Sequence, residues 1–215
     1  MMRCPRKTWL FDLDNTLHQA TPHIFPHINR LMTEYIERHL GVDHHQATAI
    51  RQDYWIRYGA TLLGLIRHHG TDPDHFLRAT HEFPDLKRMV VFERPVIHAL
   101  RRLPGRKIIF SNAPRHYAAA ILAITGLGCC FDAVYSVESV RYRPKPMLSG
   151  FRALLQAERL DPRRCIMVED SLANLVAAKK LGMKTVWVSA GSHRSPSVDA
   201  KITSVRDLPD RCGRL

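Results

Sequence analysis

Cysteine is scarce and unpaired in this 215-residue sequence: Cys4, Cys129, Cys130, Cys165 and Cys212 form no C-x-x-C pair and no zinc-type spacing. Scattered thiols without a secretion signal read as reduced, and Cys165, inside an apolar run, is expected to be buried. Long uncharged stretches are missing as well. The start Met1-Met2-Arg3-Cys4-Pro5-Arg6-Lys7 has the basicity of a signal peptide, but the apolar run behind it, Trp9-Leu10-Phe11, is broken by Asp12 and Asp14. Neither a signal core nor a membrane span fits, so a cytoplasmic location without membrane attachment is the expectation. Internal repeats and low-complexity tracts are absent. Acidic residues are the minority, 20 against 32 Lys and Arg, for a net charge of +12. Such a surplus favours anionic partners, whether phosphorylated metabolites or nucleic acid. The basic residues are nevertheless spread in short clusters such as Arg101-Arg102 and Arg163-Arg164, with no basic tail. A solvated basic surface is the plainer reading, and nucleic-acid binding is kept as a remote alternative.

What is present is ordinary for a globular chain: 45% hydrophobic and 24% charged residues, enough for one catalytic domain with an insertion or for one large domain. Thr8–Leu13 is a short apolar run ending in carboxylates, as a buried strand would. From about Pro22 to His81 apolar residues recur at helical spacing, through Ile28, Leu31, Met32, Tyr35, Ile36 and Leu40 and again through Tyr54, Leu62 and Ile66. Gly41, Gly59 and Gly70 punctuate these helices. After Pro95 helical segments (Val96–Leu103, Arg115–Thr125, Leu148–Ala157, Leu172–Leu181) alternate with apolar runs at Lys107–Phe110, Ala133–Ser136, Cys165–Val168 and Thr185–Val188. That alternation predicts an α/β fold: a Rossmann-like parallel sheet with right-handed crossovers and helices on both faces, plus an inserted all-helical domain. The expected boundaries are 1–18 and 92–215 for the core and 19–91 for the insertion.

In open parallel sheets ligands gather at the carboxyl ends of the strands. Three expected strands end in polar groups: Asp12 and Asp14, Ser111, and Glu169 with Asp170. Asp12 and Asp14 stand two residues apart, so strand alternation would point both the same way. Like charges that close repel unless a cation, a proton or a ligand intervenes. A surface turn or a helix cap would also explain Asp and Asn here. Ser111-Asn112-Ala113 precedes a helix opened by Pro114, where a hydroxyl, an amide and free N–H groups would suit an anion; an ordinary N-cap is the plain alternative. Lys145 stands between Pro144 and Pro146, whose rings stiffen the backbone around it and could fix the ammonium in place; a solvated loop lysine is the plain alternative. Asp12 and Asp170, with Glu169 as a further candidate, would suit Mg²⁺, which takes a few carboxylates and keeps several waters, if their strands are neighbours; helix capping by Asp170 is the plain alternative. His23, His27, His44, His45, His68 and His69 lack supporting ligands at metal spacing and read as surface residues.

Asp12-Leu13-Asp14-Asn15-Thr16, then Ser111, Lys145 and Glu169-Asp170, occur in an order that resembles the four motifs of the haloacid dehalogenase superfamily. The resemblance implies a helical cap for the insertion and a role for each residue. Asp12 would attack phosphorus and form an aspartyl-phosphate, and Asp14 would exchange protons with the leaving group and then with water. Ser111 and Lys145 would hold phosphate oxygens, helped by backbone N–H groups near Leu13 and Asn112. Asp12, Asp14 (through its carbonyl), Asp170 and Glu169 would bind Mg²⁺. The second carboxylate favours a phosphatase or phosphomutase over a dehalogenase, which needs no proton donor. Tyr58-Gly59-Ala60-Thr61-Leu62-Leu63-Gly64-Leu65 is similar to a cap segment of the pyrimidine 5′-nucleotidases in this superfamily, so Tyr58 and Gly59 are candidate substrate contacts; helix packing is the expectation for Tyr54. His116, one turn into the helix after Ser111, fits that branch too. The expected substrate is a small phosphorylated metabolite, foremost a pyrimidine nucleoside monophosphate. A phosphoglycolate or sugar phosphate phosphatase, or a β-phosphoglucomutase-like isomerase, is the alternative.

Overall fold

The computed structural model describes residues 7–212 and 215, apart from the side chain of Cys212. The basic start, with Cys4, and the Cys212 thiol lie outside the described residues. The chain divides into two compact units, Met1–Gln19 with Val91–Leu215, and Ala20–Val90.

In the first unit, six short strands form one sheet: β1 (Thr8–Phe11), β2 (Arg106–Phe110), β3 (Ala133–Tyr135), β4 (Cys165–Glu169), β5 (Lys184–Val188) and β6 (Ala200–Ile202). Their order is β3-β2-β1-β4-β5-β6 and every neighbouring pair is parallel. All residues of β1 and β4 are buried, which is why these strands read as continuous apolar runs rather than as alternation. On one face Leu10, Ile108, Phe110 and Met167 pack with Phe151 and Leu154 of α8 (Leu148–Ala157) and Leu175 and Ala178 of α9 (Leu172–Lys180). On the other, Phe11 meets the edge of Phe131 with ring centroids 5.6 Å apart, and the Trp9 indole donates to the carbonyl of Pro104 at 3.0 Å.

The parallel α/β class follows the alternation seen in the sequence, with local differences. β1 ends at Phe11 rather than Leu13, although Asp12 still donates its N–H to Val168 at 3.0 Å and so stays beside β4. β6 has only three residues and no apolar run. It forms because β5 offers an edge and because Lys201 stacks its ammonium 4.5 Å from the Trp187 ring centroid.

The second unit contains α1 (Ile24–Leu40), α2 (His44–Tyr58), α3 (Thr61–His69), α4 (Pro73–Thr80) and α5 (Leu86–Met89). Asp43 and Gln46 form a reciprocal capping box that starts α2. Gly41, Gly59 and Gly70 end α1, α2 and α3 in the left-handed region, at φ of 65°, 79° and 63°, where a residue without Cβ is favoured. Tyr54 lies against Gly64, so that a Cβ at 64 would collide with its ring; this tyrosine is a packing residue. The first unit also contains the α-helices α6 (Pro95–Arg102), α7 (Arg115–Thr125) and α10 (Leu208–Cys212).

The same close approach recurs near the loop that carries Lys145. A Cβ on Gly150, in the first turn of α8, would run into the backbone carbonyl of Arg143. Backbone cannot swing aside as a side chain can. Gly150→Ala is therefore expected to cost about 1–3 kcal/mol, an ordinary overpacking penalty, read as a lower denaturant midpoint at unchanged m-value.

Candidate active site

Register builds the site. Phe11 lies level with Ile109 of β2 and Val168 of β4, so the next step along each strand brings Asp12, Phe110 and Glu169 abreast. Neighbouring strands are about 4.8 Å apart, which puts side chains distant in sequence within reach. The chain runs from β1 to β2 on one side while β4 lies on the other, making β1/β4 the switch point where such sheets open a crevice.

Lys145 enters this corner almost fully buried, with 1% of its surface exposed. Its Nζ donates to Asp12 Oδ1 at 2.6 Å and to Glu169 Oε2 at 2.7 Å. Burial opposes its charge, but the two carboxylates outweigh burial and hold the ammonium well above the ordinary lysine range. Burial pushes the Asp12 carboxyl up to about 7, with Glu169 and Asp14 adding and Lys145 opposing. Glu169 is raised to about 7, again by burial first and against the pull of Lys145. Asp170 is also raised, chiefly by burial.

Asp12, Glu169 and Asp170 each offer an oxygen within 4.8 Å of the others. Three carboxylates and one ammonium leave two negative charges when all are ionised, the complement of one divalent cation. The donors are all oxygen, which suits a hard ion such as Mg²⁺ or Ca²⁺ rather than a thiophilic metal. Within the set Glu169 is the most committed, since Oε2 binds Lys145 and Oε1 accepts the N–H of Ser171 at 3.2 Å. The Asp14 carboxylate is outside this group. Its Oδ1 accepts the Tyr117 hydroxyl at 2.5 Å and lies 3.0 Å from Nε2 of His18. Asn15, at φ 59°, turns the chain directly after Asp14, and asparagine is among the few side chains that tolerate that region. Leu13 closes the turn through its carbonyl, which accepts the N–H of Leu17 at 2.9 Å.

Beyond β2 the structure changes two expectations. The Asn112 side chain is not free to hold an anion. Its Nδ2 donates to the Lys145 carbonyl at 2.9 Å, and its Oδ1 accepts the Lys145 N–H at 2.8 Å. Asn112 thus fixes the main chain of the lysine, leaving its own backbone N–H as its candidate donor to phosphate. The start of α7 is not an open anion site either, because Glu138 accepts the Arg115 N–H at 3.0 and 3.1 Å. Ser111 is buried, and its Oγ accepts the Ala113 N–H at 3.0 Å, a local turn rather than a helix cap. That bond uses a lone pair and leaves the hydroxyl hydrogen for an anion.

His116 is exposed, while its neighbour Tyr117 is 1% exposed and reaches Asp14. Nothing in the helical spacing marked Tyr117 as more than a core residue. In the helical unit Tyr58 pairs with His68, hydroxyl to Nε2, at 2.6 Å, and Gly59 is the left-handed cap of α2.

The chain belongs to the haloacid dehalogenase-like hydrolase family, whose model matches residues 7–182. It is 23% identical over 209 residues to a phosphoglycolate phosphatase of Pseudomonas putida, spanning 91% of this chain and 74% of that protein. A shorter match, 31% identical over 90 residues, links 42% of this chain to 40% of a GMP/IMP nucleotidase of Escherichia coli. Among solved structures, a HAD phosphatase from Thermococcus onnurineus aligns with a TM-score of 0.66 at 22% identity, covering 95% of this chain and 96% of that one.

Asp12 and Glu169 bind protons more tightly in the folded chain than in the unfolded one. Raising the pH from the ordinary carboxylate range through about 7 strips protons held only by the folded state, so folded stability declines across that window. Metal-free protein should therefore lose Tm between pH 5 and 8, Asp12→Asn should flatten that decline, and added Mg²⁺ should raise Tm more at pH 8 than at pH 5.5. Differential scanning fluorimetry across that pH series checks all three.

Proposed function

We propose that this chain is a Mg²⁺-dependent phosphoric monoester hydrolase that acts on a small phosphorylated metabolite through an aspartyl-phosphate on Asp12. The observation that carries this reading is the Asp12 carboxylate at the end of the central strand, 2.6 Å from a buried ammonium and clustered with Glu169 and Asp170. A carboxylate approaching a phosphate dianion is repelled, so a nucleophile of this kind needs positive charge beside it. Lys145 supplies part of it. Asp12 and Asp170 would hold Mg²⁺, with the Asp14 carbonyl assigned by resemblance and Glu169 serving mainly to anchor Lys145. The ion, when bound, supplies Lewis-acid neutralisation of the phosphoryl oxygens. The Ser111 hydroxyl and the Asn112 N–H hold phosphate oxygens. Asp14 gives a proton to the departing oxygen and takes one from the attacking water.

For the substrate, the phosphoglycolate phosphatase relative, which matches most of the chain, supports a small-metabolite phosphatase more than a nucleotidase. A nucleotidase is the second reading, favoured by the Tyr58-Gly59 segment and by the shorter match to a GMP/IMP nucleotidase. The helical unit, as cap, would make the choice.

A panel of phosphoglycolate, sugar phosphates, UMP, CMP, GMP and IMP, assayed for phosphate release with and without Mg²⁺, tests both readings. Release is expected to require Mg²⁺, and Asp12→Asn is expected to lower kcat by about 10³-fold or more, as loss of a nucleophile does. Turnover that survives in Asp12→Asn would overturn the mechanism. Turnover confined to nucleotides would overturn only the preferred substrate class.

A further inference from the structure

Asp14 has two neighbours whose contacts fall on the same atom. The Tyr117 hydroxyl donates to Oδ1 at 2.5 Å, and His18 Nε2 lies 3.0 Å from that oxygen. A carboxylate only accepts, so His18 presents an N–H from Nε2. That tautomer leaves Nδ1, which is buried without a hydrogen-bond partner among the described residues, as a lone pair rather than a stranded donor. Tyr117 and His18 are both buried, and neither was singled out by the motif order.

Two donors on one oxygen occupy its lone pairs and leave the other oxygen to exchange protons. We propose that Tyr117 and His18 are positioning residues that hold Asp14 by Oδ1 and so make Oδ2 the oxygen that passes the proton. This rests on the phosphatase reading above. As the Asp12–phosphorus bond forms and the ester P–O bond breaks, the proton on Oδ2 moves to the leaving oxygen, giving an alcohol, an aspartyl-phosphate and an ionised Asp14. In the second half, water oxygen bonds to phosphorus, the bond to Asp12 breaks, and the water proton returns to Oδ2. Nothing beyond substrate and water is consumed. A carboxyl turned by rotation about its Cβ–Cγ bond would present the wrong oxygen, or neither. Proton transfer by a positioned group contributes about 10²–10⁴-fold, so loss of positioning should show wherever the leaving group needs its proton.

Leaving-group chemistry separates this role from packing. An alkoxide leaving group needs protonation, whereas 4-nitrophenolate departs without it. kcat/KM covers the steps up to alcohol release, so the later hydrolysis common to both substrates does not enter. In the full-length Mg²⁺-loaded protein, Tyr117→Phe should lower kcat/KM for the best alkyl phosphate of the panel by about 10-fold or more, with KM little changed, and that for 4-nitrophenyl phosphate by less than about 3-fold. His18→Ala should behave likewise, and His18→Gln, whose amide N–H reaches about as far as Nε2, should recover most of the loss. Equal losses on both substrates, no loss on either, or no difference between His18→Gln and His18→Ala would overturn the proposal. Should Tyr117→Phe not fold, the two His18 variants carry the test alone. Failure of the phosphatase reading would instead appear in Asp12→Asn, which must abolish turnover of both substrates.

Discussion

A lysine ammonium buried between two carboxylates is the constraint around which the core unit is arranged. Removing Lys145 from water is costly unless its charge is met on all sides, and Asp12 and Glu169 meet it at 2.6 and 2.7 Å. Each partner depends on the others: burial raises both carboxylates to about 7 even with the lysine pulling them down, and without it they would face each other in a buried corner with nothing to offset their charge. The strand ends, the Asn112 clamp on the lysine backbone and the close contact of Gly150 with Arg143 all serve to bring that ammonium to one point. The site remains short of positive charge even so, which is the physical case for a divalent cation.

Around this centre the protein divides labour among side chains that look alike in a motif. Asp12 and Asp14 are two residues apart, yet one faces an ammonium and the other a phenol and an imidazole. Glu169 and Asp170 are adjacent, yet Glu169 has both oxygens engaged while the Asp170 backbone carbonyl accepts the Trp187 indole N–H at 2.8 Å. Different environments give equal chemical groups different work.

The α/β class was legible because fully buried strands and covering helices leave plain periodic signals, and the strand ends were legible because polar residues follow those runs abruptly. Convergence of Asp12, Lys145, Glu169 and Asp170 could be argued from motif order, since strand order and register then do the rest. Other features left no local signal. β6 depends on contacts with β5, which no local pattern announces. Tyr117 reads as one more apolar position of α7, and its role depends on a turn a hundred residues earlier. Asn112 was read as an anion ligand because its amide chemistry allows that, but the Lys145 backbone, 33 residues away, has claimed both ends of it. Glu138 likewise closes the start of α7 from a segment that no helix pattern links to it.

The hydrogen bond between the Trp9 indole and Pro104 has a bearing on all of this. A strand covered on both sides is held in frame only weakly by the hydrophobic effect, because sliding it by one residue exchanges one oily face for another. Among the things that resist sliding in β1 are shape and a polar anchor near its start, an indole that finds its carbonyl in only one alignment. Asp12 sits three residues downstream on the same stiff ribbon. Its position is therefore set, in part, from further back along the strand, by a side chain that takes no part in the carboxylate cluster.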